Sequence, residues 1–275
     1  MDQNIEFFFH TGLGKTGSTY LQHKFFPKLK GLKYIKHTQY RDHIYVDIIK
    51  KSDNNRFLLS NEFDTQFQRE LSDVCMMYPN AKIFFVIRRQ DKWAASQYRR
   101  FIKNGKTMAF NEFLDLENDQ GKWNQKEFYF YDKIKFVEEH FKEKPYVLLY
   151  DEFRESPIDF FDKIANFTNS TYQQEEIDLT PKHVSYNEKQ LKVMRQYGSI
   201  FFSNDKKFAK NYWLRKLQTK LKMIGTHAIL YLAPLVPKTW VSKEPLISKE
   251  ELTAVKEFYK EDWNKCLDYI NKQPF

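Results

Sequence analysis

IEFFFHTGLGKTGSTY, residues 5–20, combines an aromatic apolar run with a glycine-rich stretch and the start of a helical pattern. Residues 5–10 are rich in phenylalanine and do not alternate with polar residues, which predicts a strand covered on both faces. The glycines that follow predict a tight turn between this first strand and a first helix. Because such a turn directs backbone N–H groups and the positive end of a helix towards one point, we expect an anion-binding site here.

Apolar runs alternate with helical patterns through the first half of the chain. Further strands are predicted at residues 57–60, 82–88 and 146–150. Helical spacing lies between the strands at residues 17–28, 64–78, 91–104 and 126–142. After residue 151 the pattern is helical at residues 157–168, 187–197, 207–223 and 249–272. This order predicts an α/β fold, in which helices flank a mostly parallel central sheet and a helical C-terminal extension follows.

The composition supports one globular domain. The chain has 275 residues, of which 41% are hydrophobic, so it can fill a complete core. We expect a single domain over residues 1–275, with the α/β core at 5–170 and a mainly helical substrate or lid extension at 171–275. Cys75 and Cys266 lack the spacing of a zinc site or a redox motif, which favours a reducing compartment.

No export signal is predicted at the start of the chain. The longest apolar run, residues 228–236, is much shorter than the ~20 residues that a membrane-spanning helix needs. We therefore expect a soluble, cytoplasmic protein.

The positive charge is concentrated in residues 181–223. This basic segment holds eleven Lys or Arg residues against Glu188 and Asp205, so it accounts for the whole net charge of +9. An anionic partner is one expectation, and a solvated helical face rich in lysine is the other.

The first loop does not fit the Walker A pattern of nucleoside triphosphatases. That pattern requires glycine at position 9, where this chain has Phe9. Read from Lys15 onwards, the order Lys, small residue, Gly, Ser, Thr, aromatic ends at Tyr20. It resembles the 5′-phosphosulfate loop of sulfotransferases that use 3′-phosphoadenylyl sulfate (PAPS), in a form common among bacterial members.

A second motif follows the predicted strand at 82–88. Arg88 ends this strand and Ser96 comes eight residues later in the next helix, a spacing similar to the 3′-phosphate motif of the same family. A guanidinium at a strand end and a hydroxyl near a helix start can meet on one phosphate. The chain has Gln90 where many members have proline, and we expect this change to alter the turn only. Alternatively, Arg88 forms a surface ion pair and Ser96 is an ordinary helix residue.

A third stretch, residues 147–157 with the apolar helix after it, resembles the later strand, acidic turn and helix of the family. The resemblance therefore covers roughly residues 5–170. Asp151 also fits a Walker B aspartate, which leaves an ATP-dependent kinase as an alternative. A nucleic-acid-binding protein that uses the basic segment is another, although we do not expect nucleic acid as the partner.

The resemblance implies a P-loop-like three-layer fold and transfer of a sulfuryl group from PAPS to a hydroxyl, with adenosine 3′,5′-bisphosphate as product and no metal. It implies that Lys15 is catalytic and stabilises the leaving oxygen. The residues implied in nucleotide binding are Gly14, Lys15, Thr16, Gly17, Ser18, Thr19, Arg88 and Ser96.

The acceptor hydroxyl needs a base. Glu62 follows the predicted strand at 57–60 and resembles the glutamate of carbohydrate-directed members. It requires a raised pKa, or activation by Lys15, to act near neutral pH. The alternative is a carboxylate that only stabilises a helix N-terminus, and Asp64 is the reserve candidate.

The acceptor is expected to be a carbohydrate, either a bacterial cell-surface polysaccharide or a lipid-linked glycan. Leu214, Leu217 and Leu221 recur at helical spacing among lysines, with Phe208 before them and Ile224 after them. Such a helix, at 207–223, either packs its apolar stripe into the core or lies on an anionic membrane. The substrate-contact candidates are His10, His23, Asp64, Arg99 and Lys103.

Overall fold

The computed structural model describes residues 5–40, 43–180, 186–201 and 211–274. These residues form two compact units, each assembled from separate parts of the chain. The first unit takes its described residues from 1–89, 126–182 and 259–275, and the second from 90–125 and 183–258.

The first unit contains a sheet of five parallel strands in the order β2-β3-β1-β4-β5. The strands are β1 (Glu6–Gly12), β2 (Lys33–Ile35), β3 (Arg56–Glu62), β4 (Lys82–Ile87) and β5 (Tyr146–Leu149). The predicted α/β fold with a parallel central sheet is therefore confirmed. Strand β1 is central, and its neighbours β3 and β4 extend the sheet in opposite directions. In open α/β sheets of this kind, ligands usually bind in the crevice beyond the carboxyl ends of these strands.

Helices connect the strands and continue to the end of the chain. They are α1 (Ser18–Tyr20), α2 (Ile44–Lys50), α3 (Phe67–Met77), α4 (Gln90–Lys103), α5 (Phe110–Phe113), α6 (Phe130–His140), α7 (Tyr150–Glu155), α8 (Pro157–Phe167), α9 (Glu188–Phe201), α10 (Tyr212–Leu232), α11 (Lys249–Phe258) and α12 (Lys260–Asn271). After α1 the chain continues through a π-helical turn, Leu21–Phe25, and a 3₁₀ turn, Phe26–Lys28.

Both faces of the sheet are covered by apolar side chains from helices. On one face, Phe8 of β1 belongs to a buried cluster with Phe25 and, from α8, Phe161. On the other face, Phe7 stacks on Tyr45 of α2 with ring centroids 6.3 Å apart. This burial on both sides explains why the strands are continuously apolar in the sequence. The sheet with helices on each face gives the three-layer arrangement.

The helical pattern at 249–272 is two helices in the structure. Tyr259 separates α11 from α12 and is 1% exposed. Helix α11 belongs to the second unit and α12 to the first.

The helix predicted at 207–223 is observed as α10, which begins at Tyr212; Phe208 and residues 207–210 lie outside the described part of the chain. Leu214, Leu217 and Ile224 are more than half exposed, so among the described residues this stripe does not pack into the core, which was one of the two alternatives. Among the helices that the structure describes, none combines the length and apolar character required to cross a membrane.

Candidate functional site

The loop between β1 and α1 makes two unusual backbone turns. Lys15 has a φ of 73° and Gly17 a φ of 91°, both in the left-handed region. Non-glycine residues rarely adopt this conformation, and such positions concentrate at ligand-binding sites. Gly14 and Thr16 are buried while Lys15 is exposed, so the turn carries the lysine side chain to the surface at the end of the central strand.

Polar bonds within the first unit hold this loop in place. The Thr16 hydroxyl donates to the Leu13 carbonyl at 2.5 Å, and the Ser18 hydroxyl donates to the same oxygen at 3.2 Å. The Gly14 amide donates to Asp64 Oδ1 at 2.8 Å. Three residues predicted to bind the nucleotide, Gly14, Thr16 and Ser18, therefore already shape the loop, and their contact with a phosphate stays a prediction. Thr19 lies half-buried in α1 beside them.

Two glycines are required by close packing around the loop. A Cβ atom on Gly12 would lie 2.9 Å from the Ser18 side chain, and one on Gly17 would lie 2.9 Å from the ring of Phe153 in α7. Real Cβ atoms do not approach other atoms this closely. The loop is thus enclosed by α1 on one side and α7 on the other.

A buried polar group lies at the base of the loop. His10 is fully buried in β1, and its Nδ1 lies 2.8 Å from the hydroxyl of Ser60 on β3. Gln22 also donates to this hydroxyl, at 3.1 Å. Burial lowers the pKa of His10 to about 3, so its imidazole is neutral at physiological pH. His23, the other histidine candidate, is exposed, and its ring centroid lies 5.3 Å from that of His37.

The two predicted carboxylates lie at the end of β3, next to the loop. Parallel register pairs Glu62 with Gly12, and the following amide, of Phe63, donates to the Gly12 carbonyl at 2.8 Å. Glu62 is exposed. Asp64 is bonded to the loop through the Gly14 amide. The structure therefore gives Asp64 a role in loop geometry and leaves Glu62 at the solvent edge of the site.

Arg88 directly follows β4, the strand on the other side of β1. Its guanidinium carbon lies 4.7 Å from the ring centroid of Tyr150, the first residue of α7. A guanidinium stacked on an aromatic ring keeps its N–H fork oriented, which suits recognition of a phosphate. Tyr150 and Phe153 are not among the residues predicted for the site, although both lie within the stretch 147–157 that resembles the family.

The remaining candidates belong to the second unit, on α4. Ser96 is half-buried. Arg99 lies 3.9 Å from Glu188, and the Lys103 ammonium lies 5.5 Å from the ring centroid of Tyr186. The roles predicted for Ser96, Arg99 and Lys103 stay predictions. Within the described ranges no group of three or more His, Cys, Asp or Glu side chains is arranged to hold a metal ion.

The sequence matches no protein-family model and no curated protein. The structure is similar to that of mouse sulfotransferase SULT7A1 complexed with PAP, at a TM-score of 0.50 and 14% identity, over 98% of this chain and 89% of the mouse chain. This chain shares the fold of that sulfotransferase. The expected P-loop-like α/β fold is thereby confirmed, and the fold alone is what a likeness at this identity establishes.

Other solved structures are also similar to this one. A sulfotransferase from Alicyclobacillus acidocaldarius matches 86% of this chain and 98% of its own, at 16% identity and a TM-score of 0.48. Retinol dehydratase in complex with androsterone and inactive cofactor PAP matches 98% of this chain and 81% of its own, at 9% identity and a TM-score of 0.37.

Proposed function

We propose that this protein is a PAPS-dependent sulfotransferase that moves a sulfuryl group to a hydroxyl of a carbohydrate. The observation that carries the proposal is the loop after the central strand, with Lys15 held at a φ of 73° between a buried Gly14 and a buried Thr16. A lysine exposed by a strained turn, where a parallel sheet binds its ligands, suits an anionic donor.

The residues present fit such a donor. The loop amides and Lys15 would hold the 5′-phosphosulfate, and Arg88, oriented by Tyr150, would hold the 3′-phosphate. The donor, when bound, supplies the sulfuryl group. The PAP in the mouse enzyme of the same fold supports adenosine 3′,5′-bisphosphate as the product.

Catalysis would rest on position and charge, as it does in phosphoryl transfer. Lys15 Nζ would donate a hydrogen bond to the leaving phosphate oxygen, where negative charge develops. The Glu62 carboxylate would accept the proton of the acceptor hydroxyl. Glu62 lies beside Gly12 in the sheet register, so base and loop come from adjacent strand ends.

The proposed acceptor is a cell-surface polysaccharide or a lipid-linked glycan, and the proposed compartment is the cytoplasm. The position of Glu62 supports a carbohydrate because it matches the glutamate of carbohydrate-directed sulfotransferases in the sequence resemblance. Cys75 and Cys266 are both free thiols, as expected of a protein in a reducing compartment.

Calorimetric titration with adenosine 3′,5′-bisphosphate, ADP and ATP, each with and without magnesium, tests the donor site. We expect metal-independent binding that favours the bisphosphate. A preference for ATP with magnesium would instead support a kinase, in which Asp151 acts as a Walker B residue.

A transfer assay with labelled PAPS then tests the chemistry by comparing the wild type with Lys15→Ala. The variant should fold and lose transfer, and an unchanged rate would refute the mechanism.

A further inference from the structure

Helix α10 presents its apolar side chains to solvent. Trp213 is 71% exposed, Leu217 is 52% exposed and Ile224 is 65% exposed. Monomeric proteins rarely leave a continuous apolar surface of this kind uncovered, and such surfaces mark interaction sites. The apolar surface of α10 is formed by Trp213, Leu214, Leu217, Leu221, Ile224, Tyr231 and Leu232, all of which are more than half exposed.

These residues share one side of the helix. At ~100° per residue, all seven positions fall within roughly one third of the helix circumference. Thr226 and Leu230, on the opposite side, are buried. The helix therefore uses a different side for packing within its own unit and directs its broad apolar surface outward.

The charges around this surface have one sign. Residues 211–243 contain no Asp or Glu, whereas they contain Arg215, Lys216, Lys220, Lys222, Lys238 and Lys243. Lys216 and Lys220 border the apolar surface on the helical wheel. The Lys216 ammonium lies 5.5 Å from the ring centroid of Trp213, so cationic and aromatic groups are adjacent at this edge.

We propose that α10 lies in the plane of an anionic lipid bilayer, with its apolar surface buried among the lipid chains and its lysines at the headgroups. Outward apolar side chains, flanking lysines and tryptophan are the features of an interfacial helix. Trp213 and Tyr231 stand near opposite ends of the surface, and such aromatic rings favour the headgroup region.

The positive charge beside the apolar surface of α10 argues against a second copy of this chain as the partner that covers it. A symmetric contact through α10 would bring Lys216 and Lys220 of both copies into one interface without acidic residues from residues 211–243 to oppose them. An anionic membrane instead complements these lysines. This docking depends on α10 alone and is independent of the proposed reaction, although it would hold the enzyme where a lipid-linked acceptor resides.

Flotation of the full chain with vesicles tests the proposal. Vesicles that contain phosphatidylglycerol should bind the protein, and vesicles of phosphatidylcholine alone should bind it much less. The triple variant Leu217→Gln, Leu221→Gln, Ile224→Gln should reduce binding by more than about tenfold. Its control, Ile44→Gln with Met76→Gln, removes exposed apolar residues from α2 and α3 and should leave binding unchanged. Equal binding by the triple variant and the control would overturn the proposal.

The lysines and the tryptophan give independent readouts. Lys216→Gln with Lys220→Gln should weaken binding to anionic vesicles roughly fivefold per lysine, whereas Lys50→Gln with Lys51→Gln should not. Trp213 should shift its fluorescence to the blue on vesicle addition, and Trp213→Phe should remove that shift. If the chain does not bind vesicles and instead forms a dimer that the triple substitution abolishes, a second copy covers α10 and the proposal is wrong.

Discussion

The Asp64 carboxylate accepts a hydrogen bond of 2.8 Å from the backbone amide of Gly14. Asp64 follows β3 and Gly14 follows β1, so this bond ties together the ends of two adjacent strands. Asp64 would have two opposing effects on the binding of an anionic donor. Its oxygen fixes the loop that would bind the donor, while its negative charge lies beside that loop.

Substitutions at Asp64 separate these two effects. Asp64→Asn keeps an oxygen acceptor for the Gly14 amide and removes the charge, so affinity for adenosine 3′,5′-bisphosphate should stay equal or rise. Asp64→Ala removes the acceptor as well as the charge, and affinity should fall by about tenfold or more, because a lost bond to a charged group is worth about 1.5–3 kcal/mol. Titration calorimetry measures both. If Asp64→Asn loses turnover but keeps its affinity, Asp64 acts as the base instead.

Gly17 and Gly31 provide a matched pair of glycines with positive φ. Gly17→Ala adds a Cβ 2.9 Å from the Phe153 ring, whereas Gly31→Ala adds one 3.6 Å from Arg56, which is an ordinary contact. Gly17→Ala should cost roughly 2–4 kcal/mol of unfolding free energy and weaken bisphosphate binding. Gly31→Ala should cost about 1–2 kcal/mol from backbone strain alone. Urea denaturation and calorimetry check this, and equal losses of affinity would show that the packing on Phe153 does not shape the loop.

Four of the five strands could be predicted from the sequence, and the short edge strand β2 could not. Strands β1, β3, β4 and β5 are apolar because both of their faces are covered, and that pattern is local. Strand β2 has three residues and begins with the exposed Lys33, so nothing in its composition distinguishes it from a loop. Its pairing with β3 defines it, and pairing is a tertiary property.

Within the site, the residues of the loop could be predicted from the sequence, but their contacts could not. The motif names Thr16 and Ser18 among the residues for nucleotide binding, but it does not predict that their buried hydroxyls donate to the Leu13 carbonyl beneath the turn. Tyr150 could not be chosen from local spacing, because its contact with Arg88 depends on the adjacent positions of β4 and β5.

Arg88 should determine selectivity for a 3′-phosphate. Arg88→Ala removes the guanidinium that stacks on Tyr150, so binding of adenosine 3′,5′-bisphosphate should weaken by about 30-fold or more, at roughly 2 kcal/mol or above for a charge-assisted bond. Binding of ADP, which has no 3′-phosphate, should change little. Arg89→Ala removes the same charge one residue later and should affect both nucleotides alike. Equal losses for the two nucleotides in Arg88→Ala would assign the second motif to another role.

Glu62 should affect turnover and not donor binding. Glu62→Gln preserves shape and removes proton acceptance, so the transfer rate should fall by about 100-fold or more while affinity for the bisphosphate stays within roughly twofold. Steady-state kinetics and calorimetry on the same preparation measure the two quantities. Asn61 precedes Glu62 in β3, and Asn61→Ser is a control that should leave turnover largely intact. An unchanged rate in Glu62→Gln would place the base elsewhere.

His10 should make the fold sensitive to acid. Its pKa is about 3 in the folded protein because it is fully buried, against about 6.5 in an unfolded chain. As the pH falls below about 6.5, His10 therefore becomes protonated in the unfolded state and stays neutral in the folded state. The free energy of unfolding then falls by up to about 1.4 kcal/mol per pH unit.

His10→Asn keeps a polar group near Ser60 without this titration, so its free energy of unfolding should fall less on acidification than that of the wild type. Replacing the exposed His23 by Asn is the control and should leave the acid sensitivity in place. Urea denaturation of the three proteins between neutral and mildly acidic pH measures the difference, and parallel curves for wild type and His10→Asn would show that His10 is protonated without leaving its buried position.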